Sequence, residues 1–190
     1  ALDLSDVKMV QIFKCSNYDI DALKIKDMLR KEDEEEFFNV NDRIMTLFLD
    51  GFIIFKRGEK PNKADEPVKK EKKLTNNDIL KKLRVALQLR DDQILEVLEL
   101  VDFRISKGEI GNFFRAEDHP KYVECQDQIL RNFLNGLVIY LRGTKENPKN
   151  PKDVLAEISA SKIPLTDTDK PKVEAKPKST FSQAKKPSTG

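Results

Sequence analysis

The side chains best suited to chemistry occur twice. Arg30, Glu32 and Asp33 form one short run, and Arg115, Glu117 and Asp118 repeat it 85 residues later. Two carboxylates beside a guanidinium could move protons or hold a cation. A plainer reading weighs more: arginine suits a helix C-terminus, and the acids can cap the next element or pair at the surface. His119 is the single histidine and stands where the first run has Glu34. Without a partner nucleophile it is a weak general base, and it reads as an exposed turn residue. Cys15 and Cys125 occupy apolar-type positions and read as buried, inert thiols. With no CxxC and one histidine they do not make a zinc site. No phosphate-cradling glycine loop or nucleophile elbow is present. No catalytic residue, metal or cofactor is expected, and the chain is expected not to be an enzyme.

The recurrence of that run belongs to a larger one. Residues 1–58 align with residues 86–143 at a constant offset of 85, without a gap, and 17 of the 58 pairs are identical. Both copies close on Arg-Gly, at Arg57-Gly58 and Arg142-Gly143. Apolar positions match even where residues differ, which is the signature of a duplicated module. Copy two has a helix-like lead-in from Leu74 to Val85, and copy one has no counterpart. Because Ala1 is also not a methionine, the sequence is expected to be a fragment lacking the first helix of copy one. Copy one would then expose a groove that such a helix fills.

The pattern within copy two predicts four helices. Asn76 or Asn77 is suited to cap the first, whose apolar side is Ile79, Leu80, Leu83 and Leu87. The second starts near Asp91 and buries Ile94, Leu95, Val97, Leu98 and Val101. Ser106-Lys107-Gly108-Glu109 is a capping box opening the third, with Ile110, Phe113 and Phe114 inward. Pro120 suits the start of a fourth that carries Ile129, Leu130, Phe133, Leu134, Leu137 and Leu141 and stops at Gly143. Copy one repeats three of these, with Ser5 and Asp21 as caps and Ile25, Met28 and Leu29 inward. Phe52-Ile53-Ile54-Phe55 could be a short strand on propensity. The spacing upstream and the aligned Leu137-Val138-Ile139-Tyr140 favour helix. Gly51 and Gly136 fall inside the last helix of each copy, where glycine costs about 1 kcal/mol against alanine. Close helix packing is the favoured reason, ahead of a hinge or a ligand approach.

The expected architecture is therefore all-α: two tandem helical modules at 1–58 and 74–143, a Lys-rich linker at 59–73 and a mostly disordered basic tail at 144–190. The chain carries 35 basic and 33 acidic residues, a net charge of +2. The modules are slightly acidic, and the basic excess sits in the linker and tail, which hold eight of the nine prolines. One stretch of the tail, Asn150 to Ile158, carries a cap, a proline at the first helical position and a short apolar stripe, and predicts a helix. No apolar run reaches the roughly 18 residues of a membrane span, and no leader opens the chain, so a cytoplasmic protein is expected.

Three stretches together resemble the YehS-like family of small bacterial proteins. They are Asn-Asn-Asp-Ile-Leu-x-x-Leu-Arg from Asn76, Phe-Arg-Ala-Glu-Asp-His from Phe114 and Phe-Leu-Asn-Gly-Leu from Phe133. The resemblance covers about residues 1–143. It implies two copies of a domain of unknown function and a bacterial cytoplasmic setting. It implies no catalytic residues, and the linker and tail depart from the family pattern.

Two classes of function then compete. A duplicated helical module offers a surface for an unknown protein partner or for self-association, and predicts an exposed apolar patch. Against it stands a DNA- or RNA-associated regulator. Residues 91–115 follow helix-turn-helix order, and the capped helix would present Lys107, Asn112 and Arg115. The acidic modules, a long turn and the absence of a turn glycine weigh against that alternative. Lysines 69, 70, 72 and 73 and those of the tail would add only sequence-blind attraction. The interaction protein is the expectation. Its candidate surface is the twice-occurring run, Arg30, Glu32, Asp33, Arg115, Glu117 and Asp118, with Lys107 and Asn112.

Overall fold

A computed structural model describes residues 2–59 and 73–160. Module one is α1 (Asp6–Cys15), α2 (Ala22–Leu29) and α3 (Asp42–Arg57). Module two is α4 (Asn76–Leu87), α5 (Asp91–Glu99), α6 (Lys107–Phe113) and α7 (Asp127–Arg142), followed by α8 (Pro151–Ala160). Among the described residues the only β pairing is an isolated bridge between Gly143 and Pro148. At the offset of 85, α1, α2 and α3 fall on α5, α6 and α7, and α4 has no equivalent in module one. Phe52 to Phe55 lie within α3, so the helical reading of that segment holds.

Local chemistry explains the helix starts. Ser5, Asp21, Asn41, Thr75 and Ser106 each accept a hydrogen bond from the backbone N–H three residues on, satisfying a donor that the helix leaves orphaned. Two expectations need correction here. The cap of α4 is Thr75, in a reciprocal box with Asp78; Asn76 and Asn77 are the first two residues of the helix and use their side chains elsewhere. The last helix begins at Asp127 behind Gln126, and Pro120 lies in the preceding loop. Asn17 and Asp102, equivalent residues after α1 and α5, both take left-handed backbone (φ 57° and 56°), the conformation that Asn and Asp tolerate best among non-glycine residues.

The two modules do not keep separate cores. Ile12, Leu49 and Phe52 of module one join Leu80, Leu83, Ala86 and Leu87 of α4, and Ile94, Val97, Phe133 and Leu137 of module two, in one buried cluster. Phe13, Ile25 and Ile44 form a smaller cluster of their own. The α4 helix is thus the keystone between modules. It packs along α3, where Lys82 pairs with Asp50 and Leu74 N–H donates to Asp42 at 3.2 Å. The helix expected from Asn150 is α8, which lies on α7 and sends Ile158 into the common core. The linker lysines 69, 70 and 72, and the tail beyond Ala160, lie outside the described residues.

Candidate functional site

Asn77 is one of two buried polar side chains among the described residues. Its Nδ2 donates to the carbonyls of Phe113 (3.0 Å) and Val123 (2.9 Å), and its Oδ1 accepts from Cys125 N–H at 2.8 Å. Asn76 adds bonds to Cys125 O (3.0 Å) and the Asp127 carboxylate (2.7 Å). Together they fasten α4 to the α6–α7 loop, which carries the repeated Arg-x-Glu-Asp run.

Within that loop Arg115 Nε donates to Asn112 Oδ1 at 3.4 Å, and Arg115 Nη1 lies 3.1 Å from His119 Nε2. His119 Nδ1 faces the Lys121 N–H at 3.0 Å. His119 is half-buried and held by neighbours, whereas an exposed turn residue was expected. A shallow cleft of about 210 Å³ is lined by Arg115, Glu117, Asp78 and Lys81 among others. Glu117 and Asp118 are exposed. In module one, Arg30 instead pairs with Asp27 (3.4 Å) and Glu36 (2.9 Å), while Glu32 and Asp33 are exposed. The two runs therefore share an arginine that bonds back to the residue three before it. Their carboxylates are not gathered into a common arrangement. Among the described residues no group of three or more histidine, cysteine or acidic side chains could hold a metal ion.

The third helices present less than the helix-turn-helix alternative requires. Lys107 is exposed at the first position of α6. Asn112 is engaged by Arg115 and through its carbonyl by Val123 N–H, so its side chain braces the loop. Ala22 and Asp27 stand where module two has Lys107 and Asn112, so the arginine alone recurs.

Cys125 is buried, and burial with the nearby Asp127 charge pushes its thiol up to about 11. Cys15, the last residue of α1, is only half-buried, contrary to expectation. Neither cysteine is in a disulfide.

Leu29 and Leu134, both assigned inward from their spacing, are exposed to 66% and 41%. Helical spacing says which residues share a face, but not whether another helix covers it. Val138, one turn from Leu134, is 41% exposed as well, and Met45 is 36% exposed. These apolar side chains are the surface feature that the sequence reading missed. The signal lay in the alignment itself, where Leu134 matches Leu49 and a lead-in helix exists for one module only.

The architecture is that of a duplicated helical protein, and the chain belongs to the family described as "Protein of unknown function (DUF1456)", whose model matches residues 1–58 and again 76–143. A relative is the "Uncharacterized protein YehS" of Escherichia coli (strain K12), 42% identical over 129 residues, which is 68% of this chain and 81% of that protein. No solved structure matches. No helix among the described residues is long and apolar enough to cross a membrane.

Proposed function

We propose that the chain is a non-enzymatic interaction protein of the cytoplasm that binds another polypeptide through apolar side chains that the described helices leave exposed. The observation behind this reading is the pair Leu134 and Val138, one turn apart on the same side of α7 and each 41% exposed. Single exposed apolar residues are ordinary on protein surfaces. A pair sharing one helix face is a foothold for a second helix, because side chains at i and i+4 lie one above the other. Two free cysteines accord with a reducing compartment.

Association with DNA or RNA is the second reading. Lys107, exposed at the start of α6, favours it. Engagement of Asn112 and Arg115 within the loop weighs against it.

Site-specific photo-crosslinking separates the two. A photoreactive residue is placed at position 134 or at position 107 of the full chain and irradiated in bacterial extract. Protein adducts at 134 that exceed those at 107 are the expected result. Nuclease-sensitive adducts at 107 would favour the second reading. Absence of protein adducts at 134 would sink the first.

A further inference from the structure

One corner of module one carries charge that the fold does not require. Gly51 of α3 meets the Ile12 carbonyl of α1, and the two helices run antiparallel, so one turn further on Lys8 comes opposite Phe55 and Lys56. At the same place in module two Gly136 meets Val97, and one turn further on a hydrogen bond joins Gln93 and Tyr140. Leu141, the equivalent of Lys56, is fully buried there. The duplicated fold thus accepts a neutral amide and a leucine where module one has two ammonium groups.

The two lysines press on each other. Lys8 is half-buried, and burial together with the Lys8 charge holds the Lys56 ammonium below its ordinary value. Neither lysine, nor the adjoining Arg57, is in an ion pair among the described residues, whereas Arg84, Arg90 and Arg142 each have a carboxylate. Apolar side chains stand beside them. Val7 is 66% exposed and Phe55 is 37% exposed, and Val7 takes the place of Asp92, which pairs with Arg90. Cations without a counter-charge, next to exposed apolar side chains, fit a ligand that is both acidic and apolar.

Module two shows the form that such a cover takes. Its equivalent corner faces α8, whose Asp153, Val154 and Glu157 line a cleft of about 430 Å³ with Glu96 and Tyr140. Tyr140 is the equivalent of Phe55. The α8 helix lies beyond both stretches that match the family, so this cover is not part of the module itself. Residues 60–72, which follow α3, carry five lysines against three acids, and residues 161–190 carry seven lysines against three acids. Neither segment brings the complementary charge.

We propose that the corner where α1 starts and α3 ends docks an acidic helical segment of a partner polypeptide, with Lys8 and Lys56 meeting its carboxylates and Val7 and Phe55 its apolar side chains. The segment has the α8 pattern, in which acids one turn apart flank a valine. A phosphate chain would meet the lysines but leave Val7 and Phe55 in water, so the pairing of charge with apolar side chains favours a polypeptide. This is a second surface, on other helices than the Leu134–Val138 pair, and it stands or falls apart from that pair.

The test titrates the full chain, labelled with nitrogen-15, with a synthetic peptide of sequence 151–160 carrying Lys152→Glu. Saturable one-to-one binding is expected, with amide shifts centred on residues 6–8 and 54–57. Raising the salt from about 50 to about 300 mM should weaken it severalfold. Lys8→Gln combined with Lys56→Gln should weaken it by about tenfold or more. The same double change removes the repulsion and should raise Tm slightly, which shows that the variant folds. Asp153→Asn with Glu157→Gln in the peptide should weaken binding to the unaltered chain to a similar degree. Leu134→Asp should leave binding unchanged, so failure here and failure of the Leu134–Val138 reading are told apart. No saturable binding would overturn the proposal, and so would binding indifferent to the two lysines. Shifts centred on Glu96 and Tyr140 would mean that the peptide takes the place of α8, and would overturn it too. Inorganic polyphosphate that binds the corner more tightly than the peptide would make it a phosphate site and overturn the polypeptide partner.

Discussion

Gly136 lies against the carbonyl of Val97 so closely that a Cβ there would fall far inside van der Waals contact with the oxygen. Gly51 stands in the same relation to Ile12, and both pairs are equivalent across the duplication. The glycines let α3 and α7 settle onto α1 and α5 with backbone touching backbone. Close packing, and not a hinge, is thus their role.

Gly136→Ala and Gly51→Ala should each destabilise the chain by about 2 kcal/mol. Overpacking against backbone atoms lies at the upper end of the usual range, about 3 kcal/mol, offset in part by about 1 kcal/mol of better helix propensity. Thermal unfolding followed by circular dichroism should show Tm lower by roughly 5 °C. Gly111→Ala is the control. It lies mid-helix in α6 with no atom within 4 Å of an added Cβ, so alanine should raise Tm. If all three changes raised Tm, helix propensity would explain the result and close packing would not.

Asn77→Ala should cost about 2–4 kcal/mol, because it strands two carbonyls and one N–H in the interior. Asn77→Asp should do no better. A carboxylate can still accept from Cys125 N–H but turns negative charge towards Phe113 O and Val123 O. Urea unfolding checks both, and hydrogen exchange should show the Cys125 amide losing protection. A near-neutral Asn77→Ala would mean that this bond set is not what holds α4.

How much of this was legible follows from which interactions are local. Ser106 and Glu109 are three residues apart, so their box could be read directly, as could Ser5, Asp21 and α8. The duplication was plain because it needs only comparison of the chain with itself. Asn77 was misread as a cap because asparagine favours caps, whereas its partners lie 36 to 48 residues away. Thr75 and Asp78 carried the real box signature three residues apart. Leu29 and Leu134 were placed inward because their spacing is right. What decides their exposure is a neighbouring helix, which periodicity within one segment does not encode.

The Ser106–Glu109 box should make α6 acid-sensitive. Glu109 Oε2 accepts from Ser106 Oγ at 2.6 Å and Ser106 N–H at 2.9 Å, and these bonds hold its carboxyl below the ordinary value of 4.5. A depressed carboxyl adds stability above its unfolded value and loses it as pH falls through the folded one. Glu109→Gln should therefore flatten the acid limb of the stability curve below about pH 4.5, leaving the neutral region little changed. An acid limb identical to that of the parent chain would remove Glu109 as a contributor.

Cys125 should govern the alkaline limb in the opposite sense. Its side chain lies in the common core, and burial with the Asp127 charge raises the thiol from 9.0 to about 11. The fold therefore favours the neutral thiol. Below pH 9.0 both states are protonated and the full contribution is present; as pH rises from 9.0 towards 11 the unfolded chain ionises first and stability drains away. At pH 8, a thiol reagent such as DTNB should modify Cys15 promptly and Cys125 only as fast as the core opens, because the thiolate is the nucleophile. Cys125→Ala should leave the fast phase intact, abolish the slow one and lessen the alkaline loss of stability. Two equally fast thiols in the folded chain would show that the α6–α7 loop opens freely, contrary to the bonds that Asn76 and Asn77 make across it.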